Sequence, residues 1–425
     1  MSVRSLISIS FFCTLVAEIF IYLQAAMHMN VDATAPVFIL RLTSLACLLK
    51  LNNAYQWKKT FPPMPLLLFR CLIVWNLFTI VKGALMAENY WDWKYLCITT
   101  GFALMVPFAV IVGALYACCN QLFSLMVTRI FVFSYIAILL SVKADPAREL
   151  FPRCFTIIVW FFILAIPYVK TKWKVVITIA AVVSALIALD FRTNIMRISF
   201  AFVLTAMYYF RRMIPLAILK IGGLLLILAP FIFLLLGITK QFNIFKPTDN
   251  IDDYEIAYDN GTEANLATDT RTFLYEEVFS SMRDNGTLLF GEGATGKYKT
   301  QYFEDEIGTN KGRMGAEVGF LTLLLYSGSV GVLLYSLILF SAVYYGLSRS
   351  NNFFCKMLAI YVAFRWITFF IEDYIQYDMN FFFIWVSIGL CLSAGFRALS
   401  DADIVNYFNF RSRANHVISL PVGSK

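Results

Sequence analysis

Three arginines and one glutamate stand where a charged side chain needs a reason. Arg192 falls in ALDFRTNIMR, a short turn between two apolar runs. Arg271 opens TRTFLYEEVFSSMRDN inside a long polar segment. Arg313 and Glu317 stand where that segment gives way to GFLTLLLYSGSVG. Arginine keeps its charge and offers forked N–H donors that suit phosphate or pyrophosphate oxygens. A carboxylate at the edge of an apolar run is partly desolvated, which lifts its pKa toward the range of a general base. Together they read as an anion clamp (Arg192, Arg271) with a base (Glu317) and a second-rank anion or sugar contact (Arg313). Each also has an ordinary reading. Arg192 pairs with Asp190, Arg271 is a surface charge near Glu276 or Glu277, and Glu317 is solvated or paired with Arg313.

Two further groups of residues carry chemistry. Gly291, Gly293 and Gly296 in FGEGATGKY make either a backbone nest for an anion or a plain turn. Glu18, Arg41, Arg129 and Arg365 lie within apolar runs, where a charge is expensive unless it faces the bundle interior. Glu18, Arg41 and Arg365 fall in the same outer half. They line a cavity as substrate contacts or form salt bridges that fix helix packing. The nine cysteines all lie in or beside apolar runs, and there are two histidines, His28 and His416, with no cysteine near either. That spacing offers no zinc site or disulfide framework, and no cofactor is expected.

The elements that position these residues follow from composition. With 60% hydrophobic and 15% charged residues, the chain is not an ordinary soluble domain. A bilayer core takes roughly 20 apolar residues per helix, and continuous blocks of that kind recur. The expected fold is an all-α polytopic bundle of about twelve spans, near 5–26, 35–51, 64–82, 95–116, 122–142, 154–170, 175–190, 198–210, 216–238, 318–347, 353–371 and 380–397. The tenth is long and is expected to begin as a short helix before Gly328 and Gly331. The first is read as a retained helix, not a signal peptide.

The layout divides into spans one to nine (1–238), a polar loop (239–313), spans ten to twelve (314–398) and a tail (399–425). The loop holds 14 of the chain's 27 acidic residues and 8 of its 35 basic ones. Its net charge is −6, which leaves +14 on the rest of a chain that totals +8. The basic residues Lys58, Lys59, Lys170, Lys172, Lys174, Arg211, Arg212, Arg349 and Lys356 fall on one side. The positive-inside rule makes that side cytoplasmic, with both termini, and leaves the long loop external. The basic balance therefore speaks of a lipid surface and not of nucleic acid. Within the loop, the acidic first part reads as irregular. Phe273, Val278, Phe279 and Met282 then follow a helical period after Thr270 as N-cap. The segment after Ser400 reads as polar and partly disordered.

In this order, the motifs resemble those of the bacterial O-antigen polymerase and O-antigen ligase superfamily, the Wzy-like and WaaL-like membrane glycosyltransferases. Phe191-Arg192-Thr193 stands where the family often has Ser-Arg-Gly. Arg271, Tyr275 and Phe279, then Phe290-Gly291-Glu292-Gly293, match the family's loop helix and Gly-x-Gly turn. Leu321, Gly328 and Gly331 match its re-entry stretch, while Glu317 and Val318 replace His-Asn. The resemblance covers about 175–350 by motif and the whole chain by layout. It implies polymerisation of oligosaccharide units carried on undecaprenyl pyrophosphate at the periplasmic face of an inner membrane. A Wzz-like chain-length regulator and a Wzx-like flippase are the implied partners. The absent histidine tilts the resemblance from ligase to polymerase. A ligase acting on lipid A-core, or a lipid-linked oligosaccharide flippase or other transporter, are the alternatives.

Overall fold

The computed structural model describes residues 1–26, 34–126, 159–187, 192–238, 255–257, 263–265, 272–300 and 312–409. Within them the chain is almost entirely helical, with four strands of two or three residues. An apolar chain in an apolar solvent must satisfy its backbone within the segment, and helix does so. Six helices are long and apolar enough to cross a membrane: α1 (Val3–Ala26), α2 (Thr34–Ala54), α3 (Pro63–Met86), α4 (Tyr90–Ala114), α9 (Leu216–Ile238) and α11 (Gly319–Ser348). Further helices among the described residues are α5 (Tyr116–Leu125), α6 (Val159–Ala165), α7 (Thr171–Ile187), α8 (Arg192–Tyr209), α12 (Phe353–Phe369) and α13 (Met379–Leu392). The expected span at 122–142 lies largely outside the described residues.

α12 and α13 are buried along nearly their whole length and form the centre of the bundle. α13 packs on the second half of α4 and α12 on α9 and α11. α9 is apolar all round yet exposed along most of its described length, as a peripheral helix in lipid would be. α4 is not a uniform helix. A π turn at Leu96–Thr100 and a 3-10 turn at Val106–Ala109 interrupt it, the second where Pro107 removes an amide donor.

The bundle has two distinct ends. At one, α14 (Asp401–Asn409) folds back on the bundle and buries Ile404 and Phe408. Asp401 accepts from Tyr168 and from Phe353 N, and Tyr407 donates to Tyr116 O. The segment after Ser400, expected to be polar and partly disordered, forms this amphipathic helix over Asp401–Asn409, with apolar positions at i and i+4; the rest of it lies outside the described residues. The other end carries the polar loop. There α10 (Thr272–Asp284) buries Leu274, Val278 and Met282, while Phe279 is exposed. A stripe at i, i+4 and i+8 thus displaces the expected one, with Leu274 in place of Phe279. The loop's expected irregular first part holds a short antiparallel pair, β1 (Glu255–Ala257) with β2 (Glu263–Asn265). A second pair, β3 (Lys297–Tyr298) with β4 (Arg313–Met314), follows α10.

Candidate functional site

The polar loop reaches the bundle through the glycine turn. α11 breaks at Gly328, whose φ of 66° is left-handed, at the place where the sequence suggests the end of a short leading helix. A break leaves carbonyls on one side and amides on the other without helical partners. Residues 288–293 meet both sets. Glu292 N donates to Leu325 O (2.6 Å) and Gly293 N to Tyr326 O (3.0 Å), while Ser329 N donates to Leu288 O (2.9 Å). Trp75 Nε1 of α3 donates to Ser327 O (2.8 Å). On the far side of the turn, Ala294 N donates to Thr79 O, Thr295 Oγ1 to Gly83 O and Lys82 Nζ to Gly291 O. Lys297 pairs with the buried Asp92 at 2.8 Å. Even the Glu292 carboxylate is engaged internally, by Asn285 and Thr287. The amides of Gly291 and Gly293, expected as an anion nest, donate to protein carbonyls, so this turn is a clasp between the loop, α3 and α11.

Charge gathers beside the clasp, at the same end of the bundle. Arg41 of α2 is buried, and its Nη1 donates to Ile98 O at 2.7 Å. That carbonyl belongs to the π turn of α4, a distortion often found at functional sites. Glu18 of α1 is buried and accepts from Met379 N, the first amide of α13. Arg365 of α12 is 0% exposed. Its guanidinium lies 4.3 Å over the Tyr374 ring, and its three nitrogens have no hydrogen-bond acceptor among the described residues. Tyr374 OH donates back to Arg365 O. Arg197 of α8 is buried and pairs with Glu372 at 3.5 Å.

Asp378 completes this group as N-cap of α13, one oxygen accepting from Phe381 N at 2.7 Å. Burial raises its pKa. The Phe381 amide and then Arg41, Arg365 and Arg197 pull it down, and the balance leaves it at about 7. Four helices and the loop between α12 and α13 thus bring Glu18, Arg41, Arg197, Arg365, Glu372 and Asp378 together.

Arg313 and Glu317 form a neighbouring pair at 3.0 Å. Arg313 also donates to Tyr298 OH at 3.4 Å. Burial disfavours the Arg313 charge, but the bonds to Glu317 and Tyr298 overcome it and hold its pKa above the ordinary value. The expected desolvation of Glu317 is not found: its side chain is 49% exposed. The backbone around it pairs with the loop between α12 and α13, through Gly319 N to Glu372 O and Asp373 N to Glu317 O, and the side chain turns out to Arg313. The two groups are therefore joined through this pairing, with Glu372 on one side and Glu317 on the other.

Arg192 opens α8, five residues before Arg197, so about 7.5 Å along the axis toward the loop end; its side chain lies outside the description. Arg271 and Arg129 lie outside the described residues altogether. Arg197, Glu372 and Asp378 were not singled out as site residues from the sequence. Arg197 had a signal, since it is a second arginine in ALDFRTNIMR before an apolar run. Asp378 had another, an N-capping acid immediately before MNFFFIW. No protein-family model, curated protein or solved structure matches the chain.

Proposed function

We propose that this chain is a membrane glycosyltransferase that polymerises oligosaccharide units carried on undecaprenyl pyrophosphate, acting at the external face of a bacterial inner membrane. In this reading the bundle makes about twelve crossings, the loop end is periplasmic and the α14 end is cytoplasmic. The observation that carries it is the burial of three arginines from three helices, Arg41, Arg197 and Arg365, at the loop end. Burying such charges is costly, and the guanidinium of Arg365 has no acceptor among the described residues. A group of this kind suits an anionic substrate held at the mouth of the bundle.

Glycosyl transfer from a lipid pyrophosphate makes few chemical demands. The donor already carries its leaving group, so the protein supplies charge stabilisation, orientation and a base. In this reading Arg192 and Arg271 are the clamp on the leaving pyrophosphate. Arg313 contributes from the neighbouring pair. The clasp keeps the described part of the loop, and with it Arg313, in register with the bundle.

A deletion strain tests the reading. Loss of polymerisation leaves single repeat units attached to the surface core, whereas loss of a ligase leaves no attached chain. Neither pattern is expected of a chain outside polysaccharide assembly. Polysaccharide of wild-type length from both Arg192→Ala and Arg271→Ala would remove the clamp.

A further inference from the structure

We infer that Asp378 is the catalytic base of this site, the group that takes the proton from the attacking sugar hydroxyl. The inference rests on the polymerase reading and deepens it. Four observations lead to it. Asp378 is fixed at one end only: one oxygen caps α13 through Phe381 N, and no other side-chain hydrogen bond ties it to the described residues. It lies deep among protein atoms yet keeps accessible surface. It sits where the fields of Arg41 from α2, Arg197 from α8 and Arg365 from α12 converge, with Glu18 from α1 as the facing carboxyl. Its pKa of about 7 suits a base working near neutral pH.

The other carboxylates at this end are less suited. Glu18 is buried and caps α13 from outside it. Glu372 is paired with Arg197, and Glu317 is half exposed and paired with Arg313. Of these four described carboxylates, Asp378 is the one that combines a fixed orientation, an uncommitted oxygen and contact with solvent.

The step balances without a co-reactant. The hydroxyl oxygen of one lipid-linked unit attacks the anomeric carbon of the other, forming a new C–O bond. The C–O bond to the pyrophosphate breaks, and its electron pair stays on the lipid pyrophosphate, which the arginines stabilise. The hydroxyl proton passes to the Asp378 carboxylate and from there to solvent.

Asp378→Asn is the informative variant, because Asn caps a helix as well as Asp does and so keeps the start of α13. The full chain is reconstituted in nanodiscs. It is supplied with the lipid-linked oligosaccharide pool extracted from source cells that lack it, and polymer formation is followed from pH 5 to 9. The wild type should show a rate that rises with pH through about 7, since only the carboxylate accepts a proton. Asp378→Asn should lose about a hundredfold or more and lose that limb. It should still bind undecaprenyl pyrophosphate within about threefold of wild type. Asp378→Glu should recover part of the rate with the limb displaced. An Asp378→Asn enzyme that keeps a tenth of the rate with the limb in place overturns the assignment and leaves the polymerase reading standing. A wild-type chain that makes no polymer from the pool overturns both.

Discussion

Gly291→Ala should open the clasp without touching any charged residue. Gly291 has φ of 68°, a region where an L-residue costs about 1–2 kcal/mol. An added Cβ would meet the Tyr326 carbonyl carbon at 2.5 Å and Gly328 N at 2.6 Å, both backbone atoms with nowhere to move. Relief of that overlap must displace the turn. It then breaks the bonds from Glu292 N to Leu325 O and from Gly293 N to Tyr326 O. Each buried group left unpaired costs about 1–3 kcal/mol, so even the low end of the total is about 3 kcal/mol. At tenfold per 1.4 kcal/mol, the open fraction rises about a hundredfold or more. Hydrogen exchange by mass spectrometry in nanodiscs reads this directly, at the amides of Glu292, Gly293 and Ser329. Gly286→Ala is the control. Gly286 also has φ of 68°, but an added Cβ meets nothing within 4 Å, so only the backbone term of about 1–2 kcal/mol applies. Exchange in Gly291→Ala within threefold of wild type, or equal to that in Gly286→Ala, would refute the clasp.

Three further outcomes follow from the same end of the bundle. Arg365→Met should fold at least as stably as wild type, because an apolar isostere often replaces a buried charge at no loss, yet it should make no polymer; thermal unfolding in detergent and polymer length decide this together. Normal polymer, or failure to fold, would count against a role of the buried Arg365 charge in holding an anionic substrate. Lys297→Ala should destabilise loop docking by about 2 kcal/mol, between the surface and buried limits, since it strands Asp92, whose side chain is 2% exposed; Lys297→Arg should restore most of it. Trp75→Phe keeps an aromatic ring but removes the donor to Ser327 O, and a loss of about 1–3 kcal/mol in thermal or denaturant unfolding is expected.

Much of the architecture was legible in the sequence because it depends on local pattern. Apolar blocks imply helices, and the glycines of the long α11 run suggest where its leading turn ends. The loop helix was placed correctly, but its inward face was not. Phe279 and Leu274 are both apolar, and only the packing against α11 and β3 decides which is covered. The site was legible as residue types and not as partners. Glu18 and Met379 are separated by 361 positions, and nothing local to either announces their contact. Glu317 was expected to be desolvated because an apolar run follows it. The backbone pairing with the 372–373 segment turns its side chain outward instead. Asp378 was not singled out, since the three arginines whose charges act on it come from distant parts of the chain.

The clasp also constrains the order in which the molecule is made. Lys82 and Gly291 are 209 positions apart, and Trp75 and Ser327 are 252 apart. During synthesis α3 is finished long before its partners leave the ribosome. The 288–293 segment in turn precedes the broken helix whose backbone it completes. Closing so wide a chain loop comes late in folding. Until then the ends of the α11 break lack these partners, so the loop end cannot close before the residues just beyond Gly328 have been made.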